Sequence, residues 1–149
     1  MEAIIFIGIQ GAGKSTFFRD RFADSHVRIN LDMLKTRHRE QLLMAACLSG
    51  KQPYVIDNTN PTQEDREKYI VAAKAAGFRV VGYYFASKVD ECKRRNEQRS
   101  GDEAVPVRGL LGTYKRLQLP TAAEGFDTLY YVSIGDNGAF IVSEWNNEV

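Results

Sequence analysis

Residues 8–16 read Gly-Ile-Gln-Gly-Ala-Gly-Lys-Ser-Thr and follow directly on the apolar run from Ala3 to Ile7. Gly8, Gly13, Lys14 and Ser15 meet the G-x-x-x-x-G-K-[ST] pattern between a segment that reads as a buried strand and one that reads as a helix. In that context the pattern makes a phosphate cradle. Gly11 and Gly13 permit backbone conformations that turn successive N–H groups inward, and the start of the next helix adds partial positive charge. Lys14 is placed to neutralise β- and γ-phosphates, and the Ser15 hydroxyl to ligate Mg²⁺. Gly11, Ala12, Gly13, Lys14, Ser15 and Thr16 are therefore the expected contacts for ATP or another nucleoside triphosphate. A dinucleotide fingerprint is excluded, because Thr16 stands where G-x-G-x-x-G requires its last glycine.

Such a loop needs a strand before it and a helix after it, and the rest of the chain alternates in the same way. Strands are expected at Ala3 to Ile7, Val27 to Asn30, Tyr54 to Ile56 and Phe78 to Phe85. Helices are expected from about Lys14 to Ala23, Asp32 to Leu48, Thr62 to Ala76, Lys88 to Arg99 and Val107 to Leu117. Thr62 followed by Asp65 is a capping-box start for the third of these helices. Thr128 to Ile134 and Ala139 to Val142, joined by Gly-Asp-Asn-Gly, read as a C-terminal hairpin. The expected architecture is α/β, a P-loop NTPase or kinase fold with a central, mainly parallel sheet flanked by helices, a short arginine-bearing lid and that hairpin. The chain has 149 residues, near the usual size of one domain, so a single domain spanning 1–149 is expected.

The net charge of +1 means that affinity for nucleic acid would have to come from a local basic patch. Cys47 and Cys92 lack neighbours at metal-ligand spacing and read as reduced thiols. The opening MEAIIFIGIQ carries an acid and has no basic region or cleavage site, and no apolar stretch approaches the roughly 20 residues that cross a bilayer. A cytoplasmic protein that meets no membrane is expected, with no obligate protein partner evident.

The phosphate acceptor is signalled more weakly. Asp32 lies just past the second strand, where its carboxylate could act as general base on an acceptor hydroxyl, or could simply cap the helix it begins. Asp57 ends the apolar Tyr54 to Ile56 run as a metal-holding acid does, or serves the turn chemistry of Asn-Thr-Asn-Pro behind it. Arg95 and Arg99 share one face of a basic helix ahead of a glycine loop, suited to charge spreading over a transferring phosphoryl group, or to a solvated face paired with Asp90, Glu91 and Glu97.

Taken in order, GIQGAGKSTFFRDRF, RINLDML, YVIDNTNPTQEDREKY and KRRNEQRSGDEAVPVRGLLGTYKRLQLPTAAEGFD resemble the 5′-hydroxyl polynucleotide kinase family within the P-loop kinases. The resemblance covers most of the chain. It implies that Asp32 takes the proton from the acceptor hydroxyl, that Arg95 and Arg99 act with Lys14 on the donor phosphates, and that Ser15 serves Mg²⁺. It further implies that the third strand lies beside the first, bringing Asp57 to the phosphate loop as a metal or acceptor ligand. Lys35, Asp57 and Asn58 are the implied acceptor-binding residues. Leu31 stands where the best-known members have arginine, and Lys35 stands where an arginine can bind the acceptor phosphate. Lysine keeps that charge but lacks the bidentate fork. The expected activity is transfer of the ATP γ-phosphate to a hydroxyl, foremost a nucleic-acid 5′ end. A small-molecule hydroxyl acceptor, or nucleotide binding and hydrolysis in a regulatory role, are the alternatives.

Overall fold

In a computed structural model of the protein, residues 1–98 and 106–145 are described. Strand β1 (Glu2–Ile7) feeds the phosphate loop and helix α1 (Lys14–Arg21). Then follow β2 (Val27–Ile29), α2 (Leu31–Leu34), α3 (Arg37–Ser49), β3 (Tyr54–Ile56), α4 (Gln63–Ala75), β4 (Arg79–Phe85), α5 (Val89–Glu97), α6 (Val107–Arg116), a 3₁₀ turn (Ala122–Glu124), β5 (Thr128–Ile134) and β6 (Phe140–Glu144). The sheet order is β2-β3-β1-β4-β5-β6, parallel throughout except for the β5–β6 hairpin.

The composition of β1 explains its central place. Successive side chains point to opposite faces, and Ala3, Ile5 and Ile7 enter one apolar cluster while Ile4 and Phe6 enter the other. A strand covered on both faces is a continuous apolar run, as this one is. Behind the phosphate loop, Phe6, Phe17 and Phe85 pack edge to face, with the Phe17 and Phe85 rings 5.3 Å apart. Each such buried ring contributes about 1.5–3 kcal/mol in removing apolar surface from water. From β1 the chain moves outward to β2, and from β3 it crosses back to β4. The crevice beyond the carboxyl ends of β1 and β3 is therefore where a ligand meets an open parallel sheet.

The mainly parallel sheet, the position of β3 beside β1 and the antiparallel hairpin match the sequence-based expectation. The single helix expected from Asp32 to Leu48 is instead two. Helix α2 ends after Leu34, Lys35 adopts φ 75°, and Thr36 caps α3 by accepting from the Arg39 N–H at 3.1 Å. A non-glycine residue in the left-handed region breaks the helix, and a threonine cap restarts it. The lid helix ends as α5 at Glu97, and Arg99 lies outside the described residues.

Candidate active site

The phosphate loop is shaped by its neighbours. Gly11 (φ 80°) presses on α5, where a Cβ would collide with the Cys92 carbonyl oxygen, and Gly13 (φ 98°) packs against Phe140 at 3.1 Å from an added Cβ. A side chain at Gly11 would meet backbone, whereas one at Gly13 would push Phe140 aside and strain a positive-φ backbone. Gly13 is also the N-cap of α1 and supplies no side-chain oxygen, so the leading N–H groups of the helix are left for a ligand. The loop begins on a fixed base: the Gly8 N–H donates to the Thr59 carbonyl at 3.0 Å, and the Asn60 side chain donates to the Phe6 carbonyl at 2.8 Å.

Lys14 is buried, and its Nζ donates to the carbonyls of Gly8 and Ile9 at 2.9 and 2.8 Å. The ammonium group is thereby held inside the loop. Ser15 Oγ donates to Asp57 Oδ2 at 3.3 Å, and Asp57 is only 1% exposed. A serine hydroxyl beside a buried carboxylate is a pair of hard oxygen donors of the kind that would hold Mg²⁺. Arg95 Nη1 donates to the Gly11 carbonyl at 2.8 Å, and its Nη2 reaches Glu91 at 3.4 Å. The lid arginine is thus docked on the loop by one contact and held back by another.

Two residues that the motifs do not single out organise this site. Arg28 on β2 donates from Nε to Asp57 Oδ2 at 2.8 Å and from Nη2 to Ser15 Oγ at 2.9 Å. Its signal in the sequence was a lone cation in a three-residue apolar strand of a parallel sheet. Asn30, also buried, donates to the Asp57 carbonyl at 2.6 Å while its side-chain oxygen accepts from the Met33 N–H at 2.9 Å. Asn30 is therefore the cap of α2, and the capping role open to Asp32 belongs to its neighbour.

Asp32 is exposed in the first turn of α2, and among the described residues no hydrogen bond or ion pair engages it. Its helix is tied to the end of β3 a second time, because the Leu31 N–H donates to Asn58 Oδ1 at 3.0 Å. The other end of the Asn58 amide donates to Glu40 at 3.2 Å, so both ends are engaged within the scaffold. Glu40, 2% exposed, also accepts from Tyr69 at 3.0 Å and from Arg37 at 3.1 Å. Burial, reinforced by Glu40, pushes the Tyr69 hydroxyl pKa far up, so it stays a neutral donor. Partial burial works to lower the Arg37 pKa, but Tyr69 and Glu40 outweigh it and hold it above its ordinary value. Lys35, directly after α2, is exposed. Under the loop, burial raises the Cys92 thiol pKa against the opposing pull of Arg95 and Lys14, which leaves Cys92 a neutral packing group.

A phosphate loop at the carboxyl end of β1, a buried acid at the end of β3 beside it, and a lid helix docked from across the loop define the P-loop kinase class of fold. The chain belongs to the AAA domain family, whose model matches residues 4–120. Within that family it resembles the polynucleotide kinases. It is 28% identical over 129 residues, 84% of this chain, to the bifunctional polynucleotide phosphatase/kinase of Schizosaccharomyces pombe. It spans about a third of the length of the curated relatives it matches, 32% and 33%. Its fold is similar to Chaetomium thermophilum Kti12 in complex with ADP-AlF3, with a TM-score of 0.65 and 17% identity over 90% of each chain. It is likewise similar to a gluconokinase from Sinorhizobium meliloti 1021, with a TM-score of 0.61 and 19% identity over 89% of this chain and 82% of that one. Among the described residues, no helix is long and apolar enough to cross a membrane.

Proposed function

We propose that the protein transfers the γ-phosphate of ATP, or of another nucleoside triphosphate, to a hydroxyl group, and that the acceptor is the 5′-hydroxyl of a polynucleotide. The observation that carries this reading is the placement of Asp32. Asn30 takes over the cap of α2 and fixes that short helix to Asp57, itself bonded to Ser15 of the donor loop, which leaves Asp32 an exposed carboxylate on an anchored element.

In this reading the loop N–H groups and Lys14 hold the β- and γ-phosphates, with Arg95 and Arg99 supplying positive charge as it spreads over the γ-phosphate oxygens. Ser15 and Asp57 would hold Mg²⁺, which would neutralise phosphate charge. Asp32 accepts the proton of the acceptor hydroxyl. The freed oxygen forms its bond to the γ-phosphorus as the bond to the β–γ bridging oxygen breaks, and the nucleoside diphosphate leaves. Lys35 binds a phosphate of the acceptor strand, Asp57 faces the acceptor hydroxyl from the donor side, and Asn58 holds α2 and its base in register. The similarity to a polynucleotide phosphatase/kinase supports the acceptor class.

The test is label transfer from γ-labelled ATP with Mg²⁺ to 5′-hydroxyl RNA and DNA oligonucleotides, beside a panel of sugars and other small hydroxyl compounds. Label at oligonucleotide 5′ ends is expected. Label in a small molecule alone would overturn the polynucleotide acceptor and keep the transfer chemistry. Label in inorganic phosphate alone would leave a nucleotide hydrolase.

A further inference from the structure

The most unusual feature of the donor half is a guanidinium where only a metal ion is expected. Arg28 bonds both oxygens read as the metal set, Asp57 Oδ2 at 2.8 Å and Ser15 Oγ at 2.9 Å, while those two oxygens lie 3.3 Å apart. Asp57 is 1% exposed and the Arg28 side chain 26%. A carboxylate that deeply buried requires a charged partner, and Arg28 supplies the positive charge. The Ser15 oxygen has two lone pairs, and while its proton points to Asp57, Arg28 takes one of them. A divalent ion needs the same lone pair or the one beside it, a few ångströms from a fixed positive charge in a poorly solvated pocket.

Both cations cannot be held there at once without strong repulsion. We infer that Arg28 is the counter-ion of Ser15 and Asp57, that it competes with Mg²⁺ for them, and that Mg²⁺–nucleotide binding must release it. Its partial exposure and flexible stem give it a route outward. The consequence is a raised Mg²⁺ requirement: the site is neutralised before the metal arrives, and the metal must displace two charge-assisted hydrogen bonds. Each such bond is worth roughly a tenfold factor or more in an equilibrium. The inference rests on the proposed donor site, and its test separates the two.

Binding of a fluorescent, non-hydrolysable ATP analogue is followed across Mg²⁺ concentrations from micromolar to tens of millimolar for the wild type, Arg28→Met, Arg28→Lys and Lys14→Ala. Nucleotide-free unfolding temperatures are measured alongside. Arg28→Met is expected to bind nucleotide with a half-saturating Mg²⁺ concentration at least about tenfold below that of the wild type. Its nucleotide-free form should melt roughly 5–10 °C lower, because Asp57 is left unpaired, with Mg²⁺ alone restoring part of the loss. Arg28→Lys keeps the charge without the fork and should fall between the two, which preserves the test if Arg28→Met does not fold. A melting loss without any change in Mg²⁺ dependence would make Arg28 purely structural and overturn the inference, as would a higher Mg²⁺ requirement in the variants. Lys14→Ala binding nucleotide like the wild type would instead remove the donor site itself.

Discussion

The two halves of the crevice are built differently. Around the phosphate loop almost every polar group is engaged: Lys14 with two carbonyls, Ser15 with Asp57 and Arg28, and Arg95 with Gly11 and Glu91. By contrast, Asp32 and Lys35 are exposed, the first on the four-residue helix α2 and the second at its positive-φ end. A triphosphate brings the same charges whatever its base, so a rigid, preformed cradle suits the donor. The acceptor side needs only a base and a cation on a small element, and it takes that element's position from buried anchors. In the proposed function Asn30, Asn58 and Glu40 fix that element, and the exposed Asp32 and Lys35 would carry the chemistry.

If that division holds, damage to the donor half is the most costly. Lys14→Ala removes the cation held by the Gly8 and Ile9 carbonyls, and nucleotide affinity with phosphoryl transfer should fall by about 10³-fold or more. Titration with a fluorescent nucleotide and a label-transfer assay would check both.

The anchors shared by the two halves come next. Arg66 is fully buried, donating to Glu124 at 2.8 Å and to the carbonyls of Asn60 and Gln118 at 3.2 and 3.0 Å. Burial lowers its pKa against the stabilising pull of Glu124. Glu124→Ala strands that guanidinium and should cost about 3–5 kcal/mol in chemical denaturation. Because Asn60 and Thr59 fix the start of the loop, a partial loss of nucleotide binding should accompany the loss of stability.

Alkaline pH should loosen both halves together. Burial raises the thiols Cys47 and Cys92 from 9.0, and the hydroxyls of Tyr54, Tyr69, Tyr83 and Tyr84 from 10.0, with Tyr83 pushed up to about 12. The folded chain holds these protons more tightly than the unfolded one, so the stability they contribute is present below about pH 9. It is lost progressively as pH rises toward and beyond 12. Melting temperature measured from pH 7 upward should be flat at first and then fall.

The smallest effect belongs to the acceptor cation. Lys35→Arg restores a bidentate fork at an exposed position and should improve oligonucleotide KM by only a few-fold, with kcat and nucleotide affinity unchanged. A large change in nucleotide affinity would place Lys35 on the donor side.

The donor half was legible in the sequence because phosphate binding there depends on backbone shape, and backbone shape demands particular residues at fixed spacing. Gly11 and Gly13 are glycine for reasons the structure makes concrete, and the Thr62 and Asp65 capping box forms as its spacing indicates. The acceptor half was less legible because its organisers act across the fold. Asn30 is an ordinary turn asparagine until β2 is laid beside β3 and brings its amide to Asp57, and the same pairing brings the Leu31 N–H to Asn58, which the resemblance had marked only for acceptor binding. Nothing in residue type marks Lys35 as the left-handed break between α2 and α3. Arg28 was read as part of a strand, and only the sheet order β2-β3-β1 shows that its side chain reaches Ser15 across β3.

In the proposed function Asp32 is the base of a phosphoryl transfer whose donor site is complete without it. Asp32→Asn, with nucleotide binding and label transfer to a 5′-hydroxyl oligonucleotide measured on the same preparation, tests it most directly. Transfer should fall by about 10²- to 10⁴-fold while nucleotide affinity and melting temperature stay at wild-type values. Transfer at the wild-type rate, with those two values unchanged, would contradict it.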